Sequence, residues 1–240
     1  MNTLNNVIRF NAEAAGLILS GRYTNAITIL SSSLQCLKGA KRQRGRGKQS
    51  SHASEIGTTS CLSSSVSAPS LSTVSSLNIP AQSQRSSGYI FREPIIACGD
   101  VDDTPAKSRQ RMVAIVLYNL ALAHHLQGLR VQKDSASLKA TSHLQTAQSM
   151  YEACLKIQIK HQFDLGDFYK LLVLPNNIGQ VAMALGKTQS AKGYMTFLAK
   201  QLDQFLQSPS FPCRETEIEE FLNNTIGQTN PFGATQIVPC

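Results

Sequence analysis

A small residue, a glycine seven positions later and an alanine five beyond that recur along this chain. Ala14, Gly21 and Ala26 form one copy, and Gly179, Gly186 and Ala191 form another of identical spacing. A middle copy opens the same way with Ala121 and Gly128, but its alanine, Ala147, is delayed by an insertion. Four positions after each alanine comes a large residue: Leu30, Tyr151 or Met195. Antiparallel helix pairs account for this spacing, with small residues where two helices touch most closely and a glycine turning the chain between them.

The apolar periodicity agrees. Leu4, Val7, Ile8, Ala14, Leu17 and Ile18 predict a helix over 4–20, and Ala26, Ile27, Leu30, Leu34 and Leu37 predict a second over 23–37, with the turn at Gly21 and Arg22. Thr104 and Pro105 read as a helix start. The helix they open is expected to run to about Gln127, and after Gly128 a second covers 138–159. Another spans 168–185, where Pro175 either marks the true start or bends it. Thr188 is the expected N-cap of a helix ending near Leu206. A short amphipathic helix over 215–224, with Ile218, Phe221 and Leu222 on one side, has the form of a terminal cap for a repeat stack.

Between these blocks the pattern stops. Residues 38–103 open with a basic run containing Lys41, Arg42, Arg44, Arg46 and Lys48, then turn Ser/Thr-rich. That composition buries too little apolar surface to offset the ordering of the backbone, and an insert of disordered character is expected. The exceptions are Tyr89, Ile90 and Phe91 with Ile95 and Ile96, which are candidates to dock on the helices. Eleven of the 23 Lys/Arg lie between Lys38 and Arg111 against five of the 15 Asp/Glu, so the helical blocks are near neutral and the basicity belongs to the insert. The expected division is a first helix pair over 1–37, the insert over 38–103, two further pairs over 104–206, and a linker, cap and tail over 207–240.

With the whole pattern in view, the chain resembles the tetratricopeptide repeat. The middle unit carries the resemblance best, through Leu117, Leu120, Ala121, Gly128, Ala147, Tyr151, Cys154 and Leu155. The third follows with Pro175, Ile178, Gly179, Gly186, Ala191, Met195 and Leu198, and the first with Phe10, Ala14, Leu17, Gly21, Ala26 and Leu30. The runs 117–121 and 176–179 are also similar to divergent repeat proteins of single-celled algae. The resemblance implies an all-α fold: three helical hairpins in a right-handed superhelical stack, closed by a C-terminal capping helix. It implies a peptide-gripping concave groove lined by the first helix of each hairpin, and no activity.

Within that groove Asn119 and Asn177, each nine positions before a glycine of the pattern, are expected to occupy equivalent places, where a side-chain amide can donate to and accept from a peptide backbone at once. The alternative is that both bond a neighbouring helix. Asn11, ten before Gly21, is expected to face elsewhere. The family's two-carboxylate clamp needs lysines and an arginine where this chain has Ala15, Ile115 and Val173, so that partner is not expected. The basic residues Lys41, Arg42, Arg44, Arg46 and Lys48 offer a competing role, on nucleic acid or as an import signal, although no aromatic interleaves them for base stacking.

Catalytic chemistry is not expected. Gly186, Lys187 and Thr188 end like a phosphate-binding loop, but its first glycine would fall at Val181 and the context is helix–turn–helix. His124 and His125 are adjacent, point to different faces and cannot share a metal; one is expected at a helix seam and the other exposed. Cys154 reads as a small core residue. No Ser/His/Asp set, carboxylate pair or dinucleotide fingerprint is present, so neither metal nor cofactor is expected. Six scattered cysteines suit a reduced compartment, and the N-terminus lacks a secretory pattern. The most apolar stretch, 112–126, is short for a bilayer span. The expectation is a non-catalytic interaction scaffold of the cytoplasm or nucleus, its partner and oligomeric state open.

Overall fold

Gly21 and Gly186 take φ of 74° and 71°, the left-handed region that only glycine enters without strain. Each closes its helix with the same pair of bonds. Gly21 N donates to Ile18 O at 3.0 Å and Arg22 N to Leu17 O at 2.8 Å, while Gly186 N donates to Met183 O at 2.9 Å and Lys187 N to Ala182 O at 2.8 Å. This 6→1 and 5→2 arrangement satisfies the last carbonyls and reverses the chain.

The computed structural model describes residues 3–46, 88–97, 104–134, 138–161, 168–207 and 215–229. The described residues are all-helical apart from the stretch 88–97 and the turns. Helices α1 (Thr3–Leu19) and α2 (Tyr23–Arg46) pack on each other, as do α3 (Pro105–Asp134) and α4 (Leu138–His161), and α5 (Leu174–Ala184) and α6 (Thr188–Leu206). Successive pairs meet through α2 on α3 and α4 on α5, and α7 (Glu215–Thr229) packs on α6. A six-residue π-helical turn, Phe168–Val173, leads into α5, and Pro175 stands in the first turn of that helix.

The core follows the repeat. Ala14, Ala26, Ala121, Ala147 and Ala191 are fully buried, and so are Leu30 and Tyr151, with Met195 nearly so. In α2, Ala26, Leu30, Ser33 and Leu37 form the buried stripe; in α6, Ala191, Met195, Leu198 and Leu202 do.

Several boundaries differ from the sequence expectation. Gly128 does not turn the chain: α3 continues through it to Asp134. Its value is closeness, since a Cβ there would lie 2.9 Å from Leu144 Cγ and 3.3 Å from Ala140 O on α4. Thr188 is the first residue of α6 rather than its cap; Lys187 holds the cap position, with no side-chain cap bond. Helix α2 continues past Leu37 to Arg46, into residues expected to be disordered, because Ala40, Lys41, Arg42, Gln43 and Arg44 are strong helix formers. Arg109 Nη2 also donates to Leu37 O and ties this part of α2 to α3. The rest of the expected disordered insert, apart from 88–97, and the tail after 229 lie outside the described residues. The apolar stretch of α3 belongs to a 30-residue helix that matches a membrane span by length and composition, yet 78 % of the matching window is buried inside the fold, as in a core helix.

Candidate functional site

Residues 88–97 run across the face shared by α1, α3, α5 and α7, and polar side chains of those helices hold their backbone. Asn119 Oδ1 accepts from Ile95 N and its Nδ2 donates to Ile95 O, both at 2.8 Å. Asn177 does the same to Phe91, accepting from its N at 3.1 Å and donating to its O at 3.0 Å. Asn224 of α7 repeats the pattern on Tyr89, at 2.8 Å and 2.7 Å. A side-chain amide presents one donor and one acceptor side by side, the same pair a neighbouring β-strand would offer.

Three more side chains join these clamps. Asn11 Nδ2 donates to Ile95 O at 2.9 Å, Tyr118 OH to Glu93 O at 3.2 Å, and Asn176 Nδ2 to Tyr89 O at 3.1 Å. The bound residues are therefore 89, 91, 93 and 95. This period of two marks an extended chain turning alternate peptide groups to one side. The clamps also brace one another: Asn119 Nδ2 donates to Asn11 Oδ1, Asn224 Nδ2 to Asn176 Oδ1, and Asn176 Nδ2 to Asn177 Oδ1. Asn11, Asn119, Asn176 and Asn177 are fully buried and Asn224 nearly so, hence their fixed geometry.

Asn119 and Asn177 thus stand in equivalent places and face the same stretch of chain. Asn11, expected to face elsewhere, faces it too. Sequence reasoning also passed over Tyr118, Asn176 and Asn224. The overlooked signal is a second register: Asn11, Tyr118 and Asn176 each lie ten positions before the glycine of their repeat. In a helix, positions nine and ten before a landmark are adjacent and share a broad face, so both registers reach the bound chain. Of the basic residues, Lys41, Arg42, Arg44 and Arg46 fall in the last turns of α2, where only the backbone is described, and Lys48 lies outside the described residues.

Apolar contacts fix which side chains fit. Ile90 and Phe91 are buried, and Phe91 stacks on Phe221 of α7 with centroids 6.4 Å apart, while Tyr89 meets the same ring edge-on at 5.4 Å. Arg92, Glu93 and Ile96 face solvent. Gly88 sets the register: a Cβ would lie 2.5 Å from Asn224 Oδ1 and 2.5 Å from Gln180 Nε2.

Beneath the clamps lies a buried ring cluster. Tyr151 is tilted against Tyr118 at 5.9 Å, takes His125 edge-on at 6.1 Å, and its OH accepts from Asn177 Nδ2 at 3.3 Å. Burial pushes the Tyr151 phenol far above its ordinary range and the Cys154 thiol up to about 12, so neither ionises near neutrality. His125 is fully buried with neither ring nitrogen partnered, and desolvation, with the nearby Arg92 charge, lowers its pKa to about 3. His124, expected to be exposed if its neighbour is packed, is half-buried instead, with Nδ1 2.9 Å from His143 Nδ1; burial and that second ring lower its pKa to about 4. Both histidines fold as neutral rings.

The sign of the pH dependence follows. Unfolded histidine takes up a proton near pH 6.5, whereas the folded rings stay neutral to about pH 4 and 3, so the unfolded state gains protons first and stability falls as pH drops below about 6.5. For fully buried His125 the loss approaches about 1.4 kcal/mol per pH unit. Thermal melts of the parent and His125→Phe from pH 7.5 to 5 are expected to show the parent losing more stability; parallel curves would contradict the assignment.

Among the described residues no group of three or more His, Cys, Asp or Glu is placed to hold a metal. No family model matches the chain, and neither curated proteins nor solved structures include a match to it.

Proposed function

We propose that this protein is a non-catalytic interaction scaffold that grips an extended peptide along a groove. In this reading the three helix pairs form a tetratricopeptide-like right-handed stack, α7 caps it, and α1, α3, α5 and α7 line its concave face. The observation that carries the reading is the ladder of amide clamps on Tyr89, Phe91 and Ile95, a device that reads backbone and so accepts a strand from another molecule as readily as its own. The chain's own segment then occupies the site as a tethered ligand. Its pattern describes what fits: glycine, an aromatic, an aliphatic and phenylalanine in sequence, then two exposed positions.

The test uses the full chain and a fluorescent peptide of the sequence 88–97. A chain carrying Phe91→Ala has a weakened internal competitor and is expected to bind the peptide saturably, while the parent binds it at least about tenfold more weakly because the tethered copy has a high effective concentration. Adding Asn119→Ala and Asn177→Ala, or changing the peptide's glycine to alanine, is expected to abolish binding. Peptide binding indifferent to both changes, or absent from the Phe91→Ala chain, would overturn the reading.

A further inference from the structure

Beside residues 88–97, towards the C-terminal ends of α3 and α5, opens a cavity of about 720 Å³ that the peptide-binding reading leaves unused. Its size is that of a small-molecule site. Arg92 enters from the segment, Arg130 and Lys133 from the end of α3, and Gln132 and Gln180 add amides; among the described residues no Asp or Glu lines it. Arg130 Nη1 is hydrogen-bonded to Gly21 O at 3.2 Å, and neither Arg92 nor Lys133 has an acidic partner among the described residues. The C-terminal dipole of α3 accounts for cations at 130 and 133. It does not account for Arg92, which belongs to a different element and brings a third like charge to the same space against Coulomb repulsion. His125 forms part of the wall, fully buried with both nitrogens unpartnered, and buried polar groups of that kind ordinarily have a ligand or water to meet.

We propose that this cavity binds a small organic phosphate, and that the ligand, by bridging Arg92 to Arg130 and Lys133, fastens residues 88–97 to the helices. Two guanidinium forks and an ammonium suit the several oxygens of a phosphate. Leu126, Leu129 and Met183 give the cavity an apolar side, and its volume exceeds that of a bare phosphate ion, so the ligand carries an organic body. Because Arg92 travels with the segment, ligand binding and segment docking are linked, and each strengthens the other by the same factor.

The experiment titrates the full chain with inorganic pyrophosphate by calorimetry at fixed salt, beside Arg92→Gln, the pair Arg130→Gln with Lys133→Gln, and a control carrying Lys41→Gln, Arg42→Gln, Arg44→Gln and Arg46→Gln. Circular dichroism establishes that each variant is folded. One saturable site is expected, weakened about tenfold or more in both cavity variants and unchanged in the control, and pyrophosphate should slow hydrogen exchange at the Phe91 and Ile95 amides of the parent but not of Arg92→Gln. Vesicles of phosphatidylcholine with and without phosphatidic acid separate the sources: retention on the acidic vesicles assigns the phosphate to a lipid headgroup, and its absence to a soluble metabolite. No saturable binding, or binding lost in the control and kept in the cavity variants, would overturn the proposal. Neither result depends on whether the clamps accept a peptide from another molecule.

Discussion

Replacing Asn119 and Asn177 together by alanine is expected to release residues 88–97 while leaving the helices folded. The two amides supply a donor and an acceptor to Ile95 and to Phe91, and Asn177 also donates to Tyr151 OH. Removing the partner of a buried polar group costs about 1–3 kcal/mol, so the double variant loses several kcal/mol of docking free energy. Opposing this, burial of Ile90 and Phe91 contributes roughly 1.5–3 kcal/mol for each side chain. The polar loss is at least as large as the apolar gain, and the backbone regains its freedom on leaving, so release wins. Hydrogen exchange resolves it: the Phe91 and Ile95 amides should exchange orders of magnitude faster, with the far-ultraviolet spectrum nearly unchanged. Protection that survives both substitutions would show that aromatic packing on Phe221, rather than the amides, holds the segment.

Tyr151→Ala should have the largest effect on global stability. Its ring is fully buried at the meeting of α3, α4 and α5, against Tyr118 and His125, with its hydroxyl bonded to Asn177. Truncating a buried aromatic to alanine costs about 3–5 kcal/mol through lost transfer energy and the cavity left behind. For a chain of this size that lowers Tm on the order of 10 °C. Tyr151→Phe keeps the ring and removes one acceptor, and is expected to cost about 1 kcal/mol. A Tm within about 2 °C of the parent for Tyr151→Ala would mean that the seam relaxes to fill the space.

The helical content was legible because it is written in local spacing: small residues, apolar stripes and two glycines with positive φ each declare themselves within one helix pair. Gly128 misled because sequence does not distinguish a glycine that turns a chain from one that lets a neighbouring helix approach; only the position of Leu144 decides. The end of α2 was misread for a similar reason, since a basic run has both the composition of a solvated arm and the propensity of a helix. Asn119 and Asn177 stood out by register, yet that same register set Asn11 aside. Asn224 had no register to belong to, because its partner, Tyr89, is 135 positions away and no local rule connects the two. What decided the site was a long-range placement of residues 88–97, which periodicity does not carry.

That placement also fixes an order of events during synthesis. Residues 88–97 emerge from the ribosome before any of α3 to α7 exists, so Asn119, Asn177 and Asn224 reach them only later. At about 5–20 residues per second, Asn224 follows Tyr89 by roughly 7–27 s, an interval in which Asn119 and Asn177 join Asn11 one after the other and Phe91 still lacks the Phe221 ring. A helical stack with only neighbouring contacts could fold one pair at a time; here the final stitch joins the first helix to the last, and the nascent chain depends on partners it has yet to make.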